Sequence, residues 1–157
     1  MTDRPFQSLR YVEIKSRGAQ DILGFLQHLT FATGLRQLRI STFETSSFEA
    51  LQNTISAIQH HCDTSTLETL TWIQGLGPYD EPLDTDVREV LDITSLLKFR
   101  SLKHLGLAFR GVMDVNPELL RRIPTAWPQI RSLSLCGPYS DSQDSSHKPY
   151  TRPFPAA

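Results

Sequence analysis

The stretch Phe99-Arg-Ser-Leu102-Lys-His-Leu105-Gly-Leu107 contains the pattern that decides the fold. Counted from Leu102, positions one, four and six are apolar and the positions between them are mixed. The pattern recurs as Leu9-x-x-Val12-x-Ile14, Leu35-x-x-Leu38-x-Ile40, Leu67-x-x-Leu70-x-Trp72 and Ile130-x-x-Leu133-x-Leu135. The five first positions are separated by 26, 32, 35 and 28 residues. A period in this range is typical of stacked supersecondary units that share one core.

Each copy of the pattern predicts a half-buried β-strand, because its fourth and sixth positions are apolar and alternate with mixed ones. We expect the side chains at these two positions to point inward and stack on those of the neighbouring units. The predicted strands are parallel, adjacent and in chain order, over residues 9–15, 35–41, 67–73, 102–108 and 130–136. A bulky lead-in residue three positions before the pattern recurs as Phe6, Phe99 and Trp127.

Between the strands the apolar spacing becomes helical. Ser46 or Ser47 is a suitable N-cap for the second helix and Asp86 or Thr85 for the third, while Pro117 suits the first turn of the fourth and Pro124 its end. The apolar stripes are expected to be Ile22, Phe25, Leu26 and Leu29; Phe48, Leu51, Ile55 and Ile58; Val87, Val90, Leu91, Leu96 and Leu97; and Leu119, Leu120 and Ile123.

Alternating strands and helices at this period predict an α/β leucine-rich-repeat solenoid of the ribonuclease-inhibitor-like type. It would contain about five strand-helix repeats, with a parallel sheet on the concave side and helices on the convex side. We expect the repeat domain to cover residues 5–137 and the tail 138–157, rich in Ser, Asp and Pro, to be disordered or loosely packed. Because both ends lack a polar capping unit, a fragment of a longer repeat protein is the preferred interpretation.

Composition narrows the possible functions. The chain has 157 residues and a net charge of −1, so charge gives no reason to expect nucleic acid or a membrane surface as the partner. The residues after Met1 lack the apolar segment of a secretory signal. Cys62 and Cys136 lie in different repeats, which favours a reducing compartment, the cytoplasm or the nucleus.

Candidate chemical sites are weak. His60-His61-Cys62-Asp63 contains metal-ligand types, but adjacent side chains on a helix diverge by roughly 100° and seldom share one ion. The acidic run Asp80, Glu81, Asp84 and Asp86 lacks the spacing of a calcium loop. The chain also lacks the Gly-x-Ser-x-Gly phrase of a nucleophile elbow. We therefore expect neither catalysis nor a metal or other cofactor.

The outward strand positions are the best candidate for a binding surface. The residues predicted to contact a protein or peptide are Tyr11, Glu13, Lys15, Gln37, Arg39, Thr69, Thr71 and His104. Tyr11 and Arg39 come first, because Tyr and Arg are enriched at binding hot spots. The alternative is an ordinary solvated sheet face. Position two of the pattern forms a mostly basic row, which contains Arg10, Arg36, Lys103 and Arg131 and is interrupted by Glu68. Such a row more often serves solubility than binding.

The phrases Ala126-Trp-Pro-x-Ile-x-x-Leu-x-Leu and Phe99-x-Ser-Leu-x-x-Leu-x-Leu resemble the leucine-rich-repeat region of fungal F-box/ribonuclease-inhibitor-like proteins. The resemblance implies the non-catalytic target-recognition repeats of an F-box-type ubiquitin-ligase adaptor. Eight residues before the first repeat Leu are too few for an F-box. The asparagine or cysteine usual at position nine is replaced by Arg17, Phe43, Gly75, Arg110 and Pro138. The alternatives are a scaffold fragment without independent function and a metal-binding protein.

Overall fold

A computed structural model describes residues 8–29, 34–75, 89–109 and 112–136. Its strands are β1 (Tyr11–Ser16), β2 (Gln37–Thr42), β3 (Thr69–Gln74), β4 (Val90–Leu91), β5 (His104–Ala108), β6 (Val112–Met113) and β7 (Ser132–Cys136). Its α-helices are α1 (Ala19–His28), α2 (Phe48–His61) and α3 (Pro117–Ala126), and Thr94–Lys98 form a 3-10 helix.

The main sheet contains five parallel strands in the order β1-β2-β3-β5-β7, so the predicted parallel order along the chain is confirmed. The short strands β4 and β6 pair separately, also in parallel. The register aligns equal positions of the pattern across all five strands. The aligned inner rows are Val12, Leu38, Leu70, Leu105 and Leu133 at position four, and Ile14, Ile40, Trp72, Leu107 and Leu135 at position six.

The two inner rows pack against the helices in one hydrophobic core. They are fully buried on the three central strands and less so on the edge strands β1 and β7. The lead-in residues Phe99 and Trp127 are also fully buried, whereas Phe6 lies outside the described residues. The Trp127 indole Nε1 donates a hydrogen bond of 3.0 Å to the Leu96 carbonyl oxygen. This bond joins the lead-in aromatic of the fifth unit to the 3-10 helix that precedes the fourth strand of the sheet.

Two adjacent serines cap two different helices. Ser47 is the N-cap of α2, where its hydroxyl accepts a hydrogen bond from the Ala50 N–H. Ser46 instead accepts a 2.9 Å hydrogen bond from the Ala19 N–H at the start of α1, whose own N-cap, Gly18, has no side chain to do so. Unpaired N–H groups of a first helical turn are costly to bury. Ser46 therefore ties the second unit to the first.

Inward polar side chains follow the sixth position at the carboxyl ends of the first three strands. The Ser16 hydroxyl donates to Asp21 Oδ2 at 2.7 Å, and Gln74 Nε2 donates to the Glu44 carbonyl oxygen at 3.4 Å. Thr42 is buried between them in register, and its hydroxyl oxygen lacks a hydrogen-bond partner among the described residues. The Ser16 and Gln74 side chains thus bond to residues that follow the strands, Asp21 in α1 and Glu44 after β2.

The helical predictions are correct for α2 and partly wrong for α1 and α3. Ile22, Leu26 and Leu29 are buried as expected, but Phe25 is exposed and Leu23 packs against the core instead. In α3, Leu119 and Ile123 are buried whereas Leu120 is exposed. Each error concerns a residue at the border of the apolar stripe, where helical spacing alone does not fix the side that is buried.

Two other helical expectations are wrong. Pro124 does not end α3, which continues to Ala126, because a proline in the last turn sacrifices only one backbone hydrogen bond. The predicted third helix is replaced by β4 and the 3-10 helix: Val90 is exposed in β4, while Leu91, Leu96 and Leu97 are buried. The expected caps Thr85 and Asp86, with Val87, lie outside the described residues, as does the tail 138–157.

Candidate functional site

The sheet face opposite the helices, here named the open face, carries the strand residues at pattern positions three, five and seven. The parallel register arranges them in three rows that cross the sheet. The rows are Tyr11, Gln37, Thr69, His104 and Ser132; Glu13, Arg39, Thr71, Gly106 and Ser134; and Lys15, Ser41, Ile73 and Ala108. All eight residues predicted to bind a partner thus lie on one continuous surface.

Of the charged side chains on β1 and β2, those on β1 pair with each other and the one on β2 does not join them. Glu13 accepts a 3.1 Å hydrogen bond from the Tyr11 hydroxyl, and its other carboxylate oxygen lies 3.5 Å from Lys15 Nζ. Arg39 lies directly opposite Glu13 in the β1–β2 register and is exposed, but it has no hydrogen bond or ion pair with any described residue. Arg39 therefore presents guanidinium donors near the middle of the open face that no described residue uses.

The side chains on the open face become smaller and less charged toward β5. Thr69 and Thr71 are half-buried, and His104 is exposed on β5. Gly106 lies beside Thr71 in register and adds no side chain of its own. A partner bound to this face would contact a tyrosine and charged side chains on β1 and β2. On β3 and β5 it would contact small, nearly neutral side chains.

Two exposed apolar side chains at the carboxyl ends of β2 and β3 were not among the predicted binding residues. Phe43 is 56% exposed and Ile73 is 52% exposed. Phe43 continues the alternation of β2 past its last residue, and Ile73 lies diagonally across from it in register. The sequence signal was an apolar residue at an outward position. Exposed apolar groups of this size often mark contact surfaces when they adjoin polar ones.

Metal-ligand types do not converge in the described residues, where no group of three or more His, Cys, Asp or Glu side chains could hold an ion. His60 and His61 lie edge to face with ring centroids 6.2 Å apart, at the end of α2. Cys62, which follows them, is buried as part of the hydrophobic core. The acidic run 80–86 lies outside the described residues.

Burial determines the chemistry of Cys62. Desolvation raises the pKa of its thiol from 9.0 to about 12. At pH 8 the fraction present as thiolate is then about a thousandfold lower than for an exposed cysteine, and the thiolate is the reactive form. Cys62 is therefore an inert core residue.

In a Cys136→Ser background, which leaves Cys62 as the single thiol, we expect a maleimide at pH 8 to label the native protein very slowly. In guanidinium chloride the same thiol should react within minutes, as judged by mass spectrometry. Labelling at the same rate in both conditions would show that Cys62 is accessible in the native state and that this part of the α2 packing is wrong.

No protein-family model matches the chain, and neither the curated proteins nor the solved structures compared with it gave a significant match. In the described part of the chain, no helix is both long and apolar enough to cross a membrane. The geometry of the open face is thus the main guide to function.

Proposed function

We propose that this protein is a non-catalytic protein-interaction module whose open face binds a protein or peptide. The observation that carries the proposal is the alignment of fourteen outward side-chain positions in three rows on one sheet face. Within these rows, Arg39 has donors that no described residue uses, and Tyr11 exposes an aromatic ring. Phe43 and Ile73 add apolar area at one edge. Aromatic, arginine and apolar groups on one surface match the composition of protein interfaces.

The finer architecture belongs to the same proposal. We infer that the five units form a leucine-rich-repeat solenoid, so that the open face is its concave side. The support is the fivefold sequence pattern together with parallel strands in chain order. Strands repeated in this way create an extended surface to which every unit contributes side chains.

The resemblance to fungal F-box/ribonuclease-inhibitor-like proteins suggests a biological role. In that role the repeats would hold the target of a ubiquitin-ligase adaptor, in the cytoplasm or the nucleus. The phrases around Phe99 and Trp127 support it, since both lead-in aromatics are buried at equivalent places. The second candidate is a scaffold unit with no partner of its own, favoured by the incompletely buried Leu133 on β7.

Paired substitutions test the open face directly. The variant Tyr11→Ala with Arg39→Glu should weaken partner capture at least about tenfold, because each hot-spot truncation typically costs more than about 1 kcal/mol. The matched control is Phe25→Ala with Arg121→Glu on the helical layer, since Phe25 and Tyr11 are both 43% exposed. The control should leave capture within about twofold of the unmodified protein. Capture is measured by quantitative mass spectrometry of proteins retained by each immobilised variant, after circular dichroism has shown equal melting temperatures.

Two results would contradict the proposal. In the first, the helical-layer control loses the partner while the open-face variant retains it, which would place binding on the helices. In the second, no protein is retained in an amount that differs between the variants, which would support the scaffold alternative.

A further inference from the structure

The residues at pattern position two form a charged row along the amino ends of the five main strands. We name this row the rim ladder; its members are Arg10, Arg36, Glu68, Lys103 and Arg131. Backbone hydrogen bonds hold them side by side. The carbonyl oxygen of Arg10 accepts from the N–H groups of Arg36 and Gln37, at 2.9 and 3.0 Å. The carbonyl oxygens of Arg36, Glu68 and Lys103 each accept the same pair of hydrogen bonds from the next strand.

Charge along the rim ladder is compensated at its centre and not at its ends. Glu68 Oε2 lies 3.1 Å from Lys103 Nζ, and Glu68 Oε1 lies 3.9 Å from Arg36 Nη1. Arg10 Nη1 donates to the Gly34 carbonyl oxygen at 2.9 Å, and the guanidinium has no carboxylate partner among the described residues. Arg131 is exposed and has no ion pair with a described residue. The ladder therefore presents two basic ends separated by one acidic rung.

We propose that the rim ladder binds an acidic, extended segment of the protein partner, which crosses the strands along the amino end of the sheet. Carboxylates of this segment would lie over Arg10 and Arg36 at one end and over Lys103 and Arg131 at the other. The inference rests on the proposed function, because it names the chemistry of the partner bound by this module. It also assigns a function to a row whose composition alone suggested solubility.

The spacing of the rungs sets the length of the segment. Neighbouring strands lie about 4.8 Å apart, so the outer rungs are separated by about 19 Å. An extended peptide rises about 3.3 Å per residue, so about six or seven residues cover the ladder. Glu68 repels a carboxylate above it, which requires neutral residues at the centre of the segment. The matching peptide carries two acidic residues at each end and a neutral middle.

The same features favour a protein over a nucleic acid. A nucleic acid strand carries phosphate charges at every nucleotide, so one of them would lie near Glu68. Nucleic-acid sites also draw on a broad positive field, whereas this chain has a net charge of −1. An acidic peptide places its charges only where the ladder is basic.

The probe is the peptide Glu-Glu-Gly-Ser-Gly-Glu-Glu with a fluorophore, blocked at both ends, and binding is followed by anisotropy at low salt. Arg10→Gln with Arg131→Gln should weaken binding at least about tenfold, because the charges lost are those without a carboxylate partner among the described residues. Arg121→Gln with Arg122→Gln removes the same charge from exposed positions of α3 and should change binding less than about twofold. Glu68→Gln should strengthen binding, and a Gln-for-Glu peptide should not bind.

Equal weakening by the two double variants would overturn the proposal, since binding would then follow net charge rather than position. Absence of peptide binding, or tighter binding of a single-stranded oligonucleotide that Glu68→Gln does not improve, would overturn it as well. These failures are distinct from failure of the proposed function. If the peptide does not bind but Tyr11→Ala with Arg39→Glu still abolishes partner capture, the open face remains the binding surface and only the acidic segment is excluded.

Discussion

Replacing Trp72 with alanine should lower the free energy of unfolding by about 3–5 kcal/mol. Trp72 is fully buried on the central strand β3, between Ile40 and Leu107 in the inner row at position six. Its ring also packs edge to face on Phe109, with centroids 4.8 Å apart. Loss of the indole would remove these contacts and leave a cavity that a sheet held on both sides closes poorly. Urea unfolding followed by circular dichroism measures the change.

The second buried tryptophan provides a control for the polar part of the side chain. The Trp72 indole N–H has no hydrogen-bond partner among the described residues, whereas that of Trp127 donates to the Leu96 carbonyl oxygen. Trp72→Phe therefore loses volume but no hydrogen bond, and Trp127→Phe loses both. We expect Trp127→Phe to cost more, by about 1 kcal/mol. The difference stays modest because Leu96 still accepts from the Phe99 N–H.

A loss below about 1 kcal/mol for Trp72→Ala would mean that the side chain faces solvent. The register of β3 would then be shifted by one residue, which exchanges the inner and outer faces of a strand. In that case Ile73 would be the buried residue and Thr71 would join it. The same shift would remove Thr69 and Thr71 from the open face, so this stability measurement also tests the candidate site.

The sheet could be predicted from the sequence because two independent signals agree on it. Strict alternation around Leu105 and Leu107 specifies a strand with one buried face, and the spacing of the copies specifies how neighbours stack. A one-residue slip would expose the apolar rows on every strand, so the register has no competitor of similar energy. The sequence placed the N-cap of α2 at Ser46 or Ser47, and the structure assigns it to Ser47.

The helical layer was less predictable, because its boundaries depend on packing between units. Phe25 and Leu120 border their stripes, and only the position of the neighbouring helix determines their exposure. The segment around Leu96 has apolar residues at helical spacing but forms a 3-10 helix too short for an α-helical stripe. Ser46 could not be assigned to Ala19 from sequence, since the two residues meet only after β1 and β2 are paired.

The candidate site was predictable in position and not in detail. Alternation places Tyr11, Glu13 and Arg39 on the open face regardless of which side chains they bond to. It does not reveal that Glu13 pairs with Lys15 on its own strand, while the opposite Arg39 has no ion pair with a described residue. Alternation also continues to Phe43, but the predicted strand ended at residue 41, so Phe43 was not included among the binding residues. Side-chain pairing requires coordinates, because exposed charges have several partners of nearly equal energy.

Leu105→Ala should cost about 2–5 kcal/mol, whereas Leu133→Ala should cost about 1 kcal/mol or less. The two leucines occupy the same pattern position on neighbouring strands, and the sequence treats them alike. Leu105 is 1% exposed on β5, with Leu70 on one side and Leu133 on the other. Leu133 is 39% exposed on β7, an edge strand of the described sheet. Urea unfolding of both variants at the same protein concentration measures the difference.

The size of the difference also bears on what covers β7 in solution. A side chain that keeps 39% of its surface in water has less transfer free energy to lose when it is truncated. Its truncation also leaves an open depression that solvent fills, rather than a closed cavity. If Leu133→Ala costs as much as Leu105→Ala, then Leu133 is buried in solution by contacts outside the described residues. The matched Leu107→Val and Leu135→Val changes extend the comparison to the other inner row. A cost that falls from the central strands toward β7 at both positions would establish that strand as the exposed end of the shared core.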